Sequence, residues 1–255
     1  MAEIIVIGSA CGFPVPGRGH SSLLLSMSDQ SILIDAGEPC SRSLAEAGIS
    51  FSSIGAVLLT HGHADHTGGL PMLIQSLWLS HRTKPLYIFL PEELSKPLQQ
   101  WLNAIYLSST FLPFELNFVA WETQQVFEVF GLQIRPRETT HLRSLSRKFG
   151  NGRFKSYSLQ VEHSDFRILF SGDLGSPTDL EAQLSNPVNL LVSELAHFSP
   201  SELFRFLGPQ RVRRLLLTHL APELCGKEQS IVQEARNELP EMLVLVANDG
   251  LRVPL

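Results

Sequence analysis

His61, His63, Asp65 and His66 fall within six residues, in the string Leu58-Leu59-Thr60-His61-Gly62-His63-Ala64-Asp65-His66-Thr67-Gly68-Gly69, and the packing of a core does not ask for such a cluster. Imidazole nitrogens beside a carboxylate, with no thiolate among them, form a metal-binding donor set that suits zinc first and iron, manganese or nickel after it. The flanking residues say how the cluster is held. Ala56 to Leu59 is an apolar run of strand length, Thr67-Gly68-Gly69 is a turn, and Leu70, Leu73, Ile74 and Leu77 recur at helical spacing. The donors therefore sit on a loop leaving a strand, where a rigid scaffold usually carries its chemistry.

Four further landmarks follow the same grammar. Ser31-Ile32-Leu33-Ile34-Asp35-Ala36-Gly37 ends a strand in an aspartate, and His141 follows Thr139-Thr140. Asp173 lies in Phe170-Ser171-Gly172-Asp173-Leu174, and His219 closes Leu215-Leu216-Leu217-Thr218. The last two each follow an apolar run of strand length, so each would project from a strand end. Taken in order, these motifs resemble the metallo-β-lactamase superfamily over nearly the whole chain. The resemblance implies two divalent metal ions, zinc first with manganese or iron as alternatives. His61, His63 and His141 would hold one ion, Asp65, His66 and His219 the other, and Asp173 would bridge them. A hydroxide between the ions would serve as nucleophile, with Asp65 counted in the catalytic set. Asp35, Thr60 and Thr218 would hold the ligand loops by hydrogen bonds.

Within that superfamily the opening Gly8 to Ser22, with Gly8, Gly12, Gly17 and Gly19, looks like that of ribonuclease Z and the phosphonate-pathway phosphodiesterases. A glycine-rich loop brings backbone N–H groups close to an anion, but this one lacks the Lys-Ser/Thr ending of a nucleotide-binding P-loop. Ser21, at the end of this loop, is a candidate substrate contact. Glu194 and His197, in Val192-Ser193-Glu194-Leu195-Ala196-His197, are by the same resemblance a carboxylate and an imidazole beside the metals. The carboxylate would fix the tautomer and raise the basicity of His197, which could then pass a proton to a departing alkoxide. Arg135, Arg137, Arg143, Arg147, Lys148, Arg153 and Lys155 surround His141 within 21 residues against one acid, Glu138. Such a patch draws an anionic substrate toward the site, with Arg143 the nearest candidate contact, or else forms a solvated face.

Only 31 residues separate His141 from Asp173, too few for the tRNA-binding arm of ribonuclease Z. The expected activity is therefore a phosphodiesterase acting on a small anionic phosphodiester, such as a cyclic nucleotide or cyclic phosphate, or on an RNA 3′ end. Two alternatives stay open. The same hydroxide would hydrolyse a thioester, lactone or amide, as in glyoxalase II relatives that share the histidine string. A non-catalytic metal-binding carrier, resembling the pyrroloquinoline-quinone pathway member B, would keep the ligands and lose turnover.

Composition fits a single soluble domain over 1–255. Hydrophobic residues at 44% and charged residues at 18% are ordinary globular values, and a net charge of -5 argues against indiscriminate nucleic-acid binding. Cys11, Cys40 and Cys225 are too few for a disulfide framework, no apolar run reaches the length of a bilayer span, and no signal peptide is visible. A cytoplasmic protein with no membrane partner is expected, and a homodimer is what the resemblance implies. Periodicity predicts strands near 3–8, 21–27, 30–36, 55–60, 87–90, 116–120, 125–130, 132–138, 156–162, 166–171, 189–194, 212–218, 242–247 and 251–253. Helices are predicted at 41–47, 69–81, 92–106, 199–207 and 228–238, with a loop at 142–155. This alternation is an α/β (α+β) pattern, which in the resembled family folds as a four-layer αββα sandwich.

Overall fold

The computed structural model describes residues 2–121, 123–150 and 152–255. Its first half runs β1 (Glu3–Gly8), β2 (Ser22–Ser26), β3 (Ser31–Ile34), α1 (Cys40–Glu46), β4 (Ile54–Leu58), α2 (Ala64–Thr67), α3 (Leu70–Leu79), β5 (Leu86–Pro91), α4 (Glu92–Ala104) and β6 (Leu116–Trp121). The second runs β7 (Phe127–Val129), β8 (Leu132–Glu138), α5 (Arg143–Phe149), β9 (Tyr157–Glu162), β10 (Arg167–Phe170), β11 (Leu190–Leu195), α6 (Pro200–Leu207), β12 (Arg214–Leu220), α7 (Glu228–Glu238), β13 (Leu243–Val246) and β14 (Arg252–Pro254).

The strands form two seven-stranded sheets, ordered β14-β1-β2-β3-β4-β5-β6 and β13-β12-β11-β10-β9-β8-β7. The continuous apolar runs of the sequence have a simple cause: both faces of β1 to β4 and of β9 to β12 are buried. On β1, Ile4 and Val6 point into the core between the sheets, while Ile5 and Ile7 point to an outer core shared with the helices. On β12, Leu216 points inward and Leu215 and Leu217 outward. Leu44, Leu73, Leu77 and Leu102 from α1, α3 and α4 cover the first sheet, and Leu203, Phe204, Leu207 and Ile231 from α6 and α7 cover the second. The result is the expected αββα sandwich, with each fully buried aliphatic or aromatic side chain contributing about 1.5–3 kcal/mol relative to exposure.

Strands β3 to β6 run parallel, as do β10 to β13, so their carboxyl ends gather at one edge of the sandwich. Loops at such ends are where open α/β sheets place ligands. Two expectations need correction there. The stretch 142–155 is not all loop, since Arg143–Phe149 is helical, and the histidine-rich loop contains the one-turn helix Ala64–Thr67. Both are too short for an apolar repeat to show in the sequence, and α5 buries none of its residues. Strand β7 is also shorter than the predicted 125–130, covering Phe127–Val129. Among the described residues no helix is long and apolar enough to cross a membrane.

Candidate metal centre

At this edge the dispersed donors meet. His61, His63, His141 and Asp173 form one group, and Asp65, His66 and His219 form a second, each with its ligand atoms within 4.8 Å of one another. In the first, His61 Nε2 lies 3.0 Å from His63 Nδ1 and 3.7 Å from Asp173 Oδ2, and His141 Nε2 lies 3.4 Å from His63 Nδ1 and 3.6 Å from Asp173 Oδ2. In the second, His66 Nε2 lies 3.6 Å from Asp65 Oδ2, and His219 Nε2 lies 3.8 Å from the same oxygen. Asp173 reaches both groups, with Oδ1 at 3.3 Å from His66 Nε2 and Oδ2 at 3.5 Å from His219 Nε2.

These separations fit a bound cation. Two donors each about 2.0–2.1 Å from a tetrahedral zinc lie about 3.3–3.4 Å apart. His66 Nε2 and Asp173 Oδ1 are moreover buried without a hydrogen-bond partner, a costly arrangement unless an ion completes it. Burial, and next the like charge of His66, push His61 well down, and burial lowers His141 to about 4, so both rings are held in the neutral form that a metal requires. Burial resists ionisation of Asp173, yet His219, His66 and His61 hold its carboxyl well below the usual range. Burial likewise opposes a charge on His66, and the Asp173 and Asp35 carboxylates overcome it; a cation at Nε2 would displace that proton.

The first sheet presents its ligands through a wired loop. Asp35 follows β3 in a left-handed conformation (φ 57°) that turns its carboxylate under the loop after β4. There Asp35 Oδ1 accepts from Thr60 N at 2.8 Å, and Oδ2 accepts from His66 Nδ1–H at 2.7 Å. Thr60 Oγ1 donates to Asp35 and accepts from His61 Nδ1–H at 3.1 Å. Both tautomers are thereby set, leaving the Nε2 atoms of His61 and His66 for a cation. Beneath the loop, the indole of buried Trp121 donates to Leu59 O at 2.9 Å.

The second sheet works from separate strand ends. His219 is a bulged residue of β12: the register with β11 steps from Glu194↔Thr218 to Leu195↔Leu220, and the skipped residue has φ 50°. The bulge re-aims a strand side chain into the site. Gly172, before Asp173, has φ 55°, and a Cβ there would lie 2.4 Å from Tyr157 O, so the turn that delivers Asp173 needs glycine. Thr139 Oγ1 then donates to Asp173 O at 2.8 Å.

Glu194 and His197 come together as a pair. Glu194 is buried and accepts from Leu174 N at 2.8 Å, Ala196 N at 2.9 Å and His197 N at 3.1 Å. It also accepts from His197 Nδ1–H at 2.8 Å, which raises the pKa of His197 against the pull of burial. The imidazole stands edge-on to His141, ring centres 4.5 Å apart. An open cleft of about 360 Å³ lies in front of these groups, lined by His63, Asp65, Asp173, His197, Cys11 and Gly12, with Glu223 among the residues at its wall. Burial pushes the Cys11 thiol up, so it stays protonated beside the carboxylate of Asp65.

The remaining sequence candidates fall elsewhere. Ser21, expected at the substrate, lines a small pocket behind the ligands with Asp35, Thr60 and Thr218, rather than the cleft. Arg143 opens α5 and is exposed two residues beyond His141. Arg135 is exposed on β8, whose neighbouring Ile134 faces the inner core, whereas Lys148 and Arg153 lie over the rings of Phe149 and Phe154. The glycine-rich loop spends several of its donors inside the fold, while its Cys11 and Gly12 line the cleft. Ala10 N donates to Gly19 O and Cys11 N to Leu220 O, and Arg18 is spent on Ala247 O, Asn248 and Glu228. Sequence reasoning missed Asp179, which bonds Thr140 and Gly175; its only signal is a Ser176-Pro177 turn start.

Residues 2–222 match the family described as Anti-Pycsar protein Apyc1. Ribonuclease Z of Agathobacter rectalis is 30% identical over 215 residues, covering 83% of this chain and 65% of that one. Matches to other curated ribonucleases Z span 38% and 45% of their lengths, so the chain corresponds to only part of these relatives. The crystal structure of the metallo-β-lactamase fold protein YhfI from Bacillus subtilis superposes with a TM-score of 0.81 at 21% identity, covering 100% of both chains. Zinc-bound PqqB from Methylobacterium extorquens superposes with a TM-score of 0.76 at 18% identity, covering 99% of this chain and 100% of that one. With a family match over most of its length, the chain belongs to the Anti-Pycsar protein Apyc1 family, and it has the metallo-β-lactamase fold.

Proposed function

We propose that the protein is a dinuclear metal-dependent phosphodiesterase acting on a small phosphodiester or an RNA end. The observation that carries this reading is Asp173, whose two carboxylate oxygens face two adjacent donor groups at the floor of one open cleft. Two divalent cations, zinc first, would supply activated water and neutralise charge on the phosphate oxygens. His61, His63, His141 and Asp173 would hold one, and Asp65, His66, His219 and Asp173 the other.

The side chains supply the rest. His197 lines the cleft with Nδ1 tied to Glu194, so Nε2 is the nitrogen left to carry a proton to the leaving oxygen. Arg143 and the other cations of 143–155 would draw an anionic substrate toward His141. The likeness to ribonuclease Z supports phosphodiester chemistry, and the zinc-bound PqqB neighbour supports zinc. The short 142–155 excursion leaves little surface for a folded RNA and favours a small substrate.

The test is hydrolysis of bis(p-nitrophenyl) phosphate by protein of known metal content, beside a p-nitrophenyl monoester, a thioester and a lactone. Turnover of the diester with about two metals per chain is the expected result. Turnover of only the thioester or lactone moves the same site to acyl chemistry. Silence on all four at every metal loading favours a carrier.

A further inference from the structure

Asp179 contributes no ligand atom, yet one of its oxygens joins two ligand loops of the second sheet. It lies on the turn Pro177–Leu180, anchored by buried Leu180 and capped by Ser176 Oγ, which accepts from Thr178 N at 3.2 Å. Asp179 Oδ2 accepts from Thr140 N at 2.9 Å, Thr140 Oγ1 at 3.0 Å and Gly175 N at 3.0 Å. Thr140 immediately precedes His141, and Gly175 comes two residues after Asp173.

The two loops touch closely enough that side-chain size matters. A Cβ on Gly175 would lie 2.1 Å from Thr140 Oγ1 and 2.9 Å from the Thr140 carbonyl carbon. On the inner side, Thr139 Oγ1 donates to Asp173 O. The spacing of His141 from Asp173 is thus held from within by Thr139 and from outside by Asp179. Bonds to a carboxylate are the stronger kind, and they act here on backbone atoms next to both ligands.

We propose that Asp179 is a positioning residue of the metal centre: by tying Thr140 to Gly175 it sets the separation of His141 and Asp173, and with it the affinity of the group His61, His63, His141 and Asp173. The inference concerns metal binding alone and stands apart from the choice of substrate.

Zinc affinity of metal-stripped protein, measured by competition with a chromophoric chelator, tests it in Asp179→Ala, Asp179→Asn and Thr140→Val. The visible spectrum of the cobalt-loaded protein and the thermal melt of the metal-free protein are recorded beside it. The expected result for Asp179→Ala is an affinity about 10–100-fold weaker at one of two sites, an altered cobalt spectrum and a metal-free melt lowered by too little to account for that loss. Asn keeps an acceptor without the charge, and Val keeps the Thr140 N–H bond, so both should lose less. Affinities within about twofold of the parent in all three variants would overturn the proposal. So would a loss of affinity matched by a loss of metal-free stability, which marks a merely structural carboxylate. Should Asp179→Ala fail to fold, Thr140→Val decides by the same readouts.

Discussion

The two sheets contribute to the same site by opposite means. The first sheet supplies His61, His63, Asp65 and His66 from one continuous stretch after β4, wired from below by Asp35 and Thr60. The second supplies His141, Asp173 and His219 from three strand ends, each aimed by a local device: the Thr140–Asp179 clamp, the Gly172 turn and the β12 bulge. A contiguous group can be preorganised by one buried carboxylate. A dispersed group depends on the registers of a whole sheet, so its ligands are each sensitive to a different mutation.

The contrast can be broken most forcefully at Asp173, which serves both groups. Asp173→Ala should bring metal content to less than half of the parent's and cut turnover by about 10³-fold, read by elemental analysis and steady-state kinetics. Full occupancy in that variant would mean that the groups are independent. Next come the two buried carboxylates. Asp35→Asn should weaken metal binding by about 10–100-fold, because an amide keeps one acceptor oxygen and cannot accept from both Thr60 N and His66 Nδ1–H. Glu194→Gln should leave metal content near that of the parent and lower kcat by about 10-fold or more.

Glu194→Gln also has a signature in pH. Glu194 raises the pKa of His197, so the protonated ring survives to higher pH, and a rate that needs that proton falls as pH rises through the raised value. Without the carboxylate, the fall should move to lower pH in the kcat profile; an unmoved alkaline limb would remove His197 from proton transfer. The smallest effect belongs to Arg143→Ala. As an exposed cation it should raise KM for an anionic diester severalfold, with kcat kept and the difference fading at high salt.

What the sequence makes legible follows the same division. The central strands stand out because both of their faces are apolar, and the first-sheet ligands stand out because they are contiguous. Asp173 and His219 are findable only as polar residues closing apolar runs, and nothing in Leu217-Thr218-His219-Leu220 announces a bulge. Helix α5 escapes because an amphipathic repeat needs a buried face, and this helix has none. Ser21 looks exposed beside a glycine-rich loop, but its strand entry takes it behind the ligands. Asp179 is invisible because its partners are two backbone N–H groups and one hydroxyl, on loops 39 and four residues before it in the chain.

Trp121 adds a spectroscopic consequence. The protein has three tryptophans, and Trp78 and Trp101 are exposed while Trp121 is 2% exposed, stacked on Phe89 and bonded to the carbonyl two residues before His61. The blue edge of the intrinsic fluorescence should therefore come from one indole fastened to the root of the histidine loop. Filling the centre with a quenching ion such as cobalt should dim that edge first, giving a label-free optical titration of a site that zinc itself, colourless and spectroscopically silent, does not reveal.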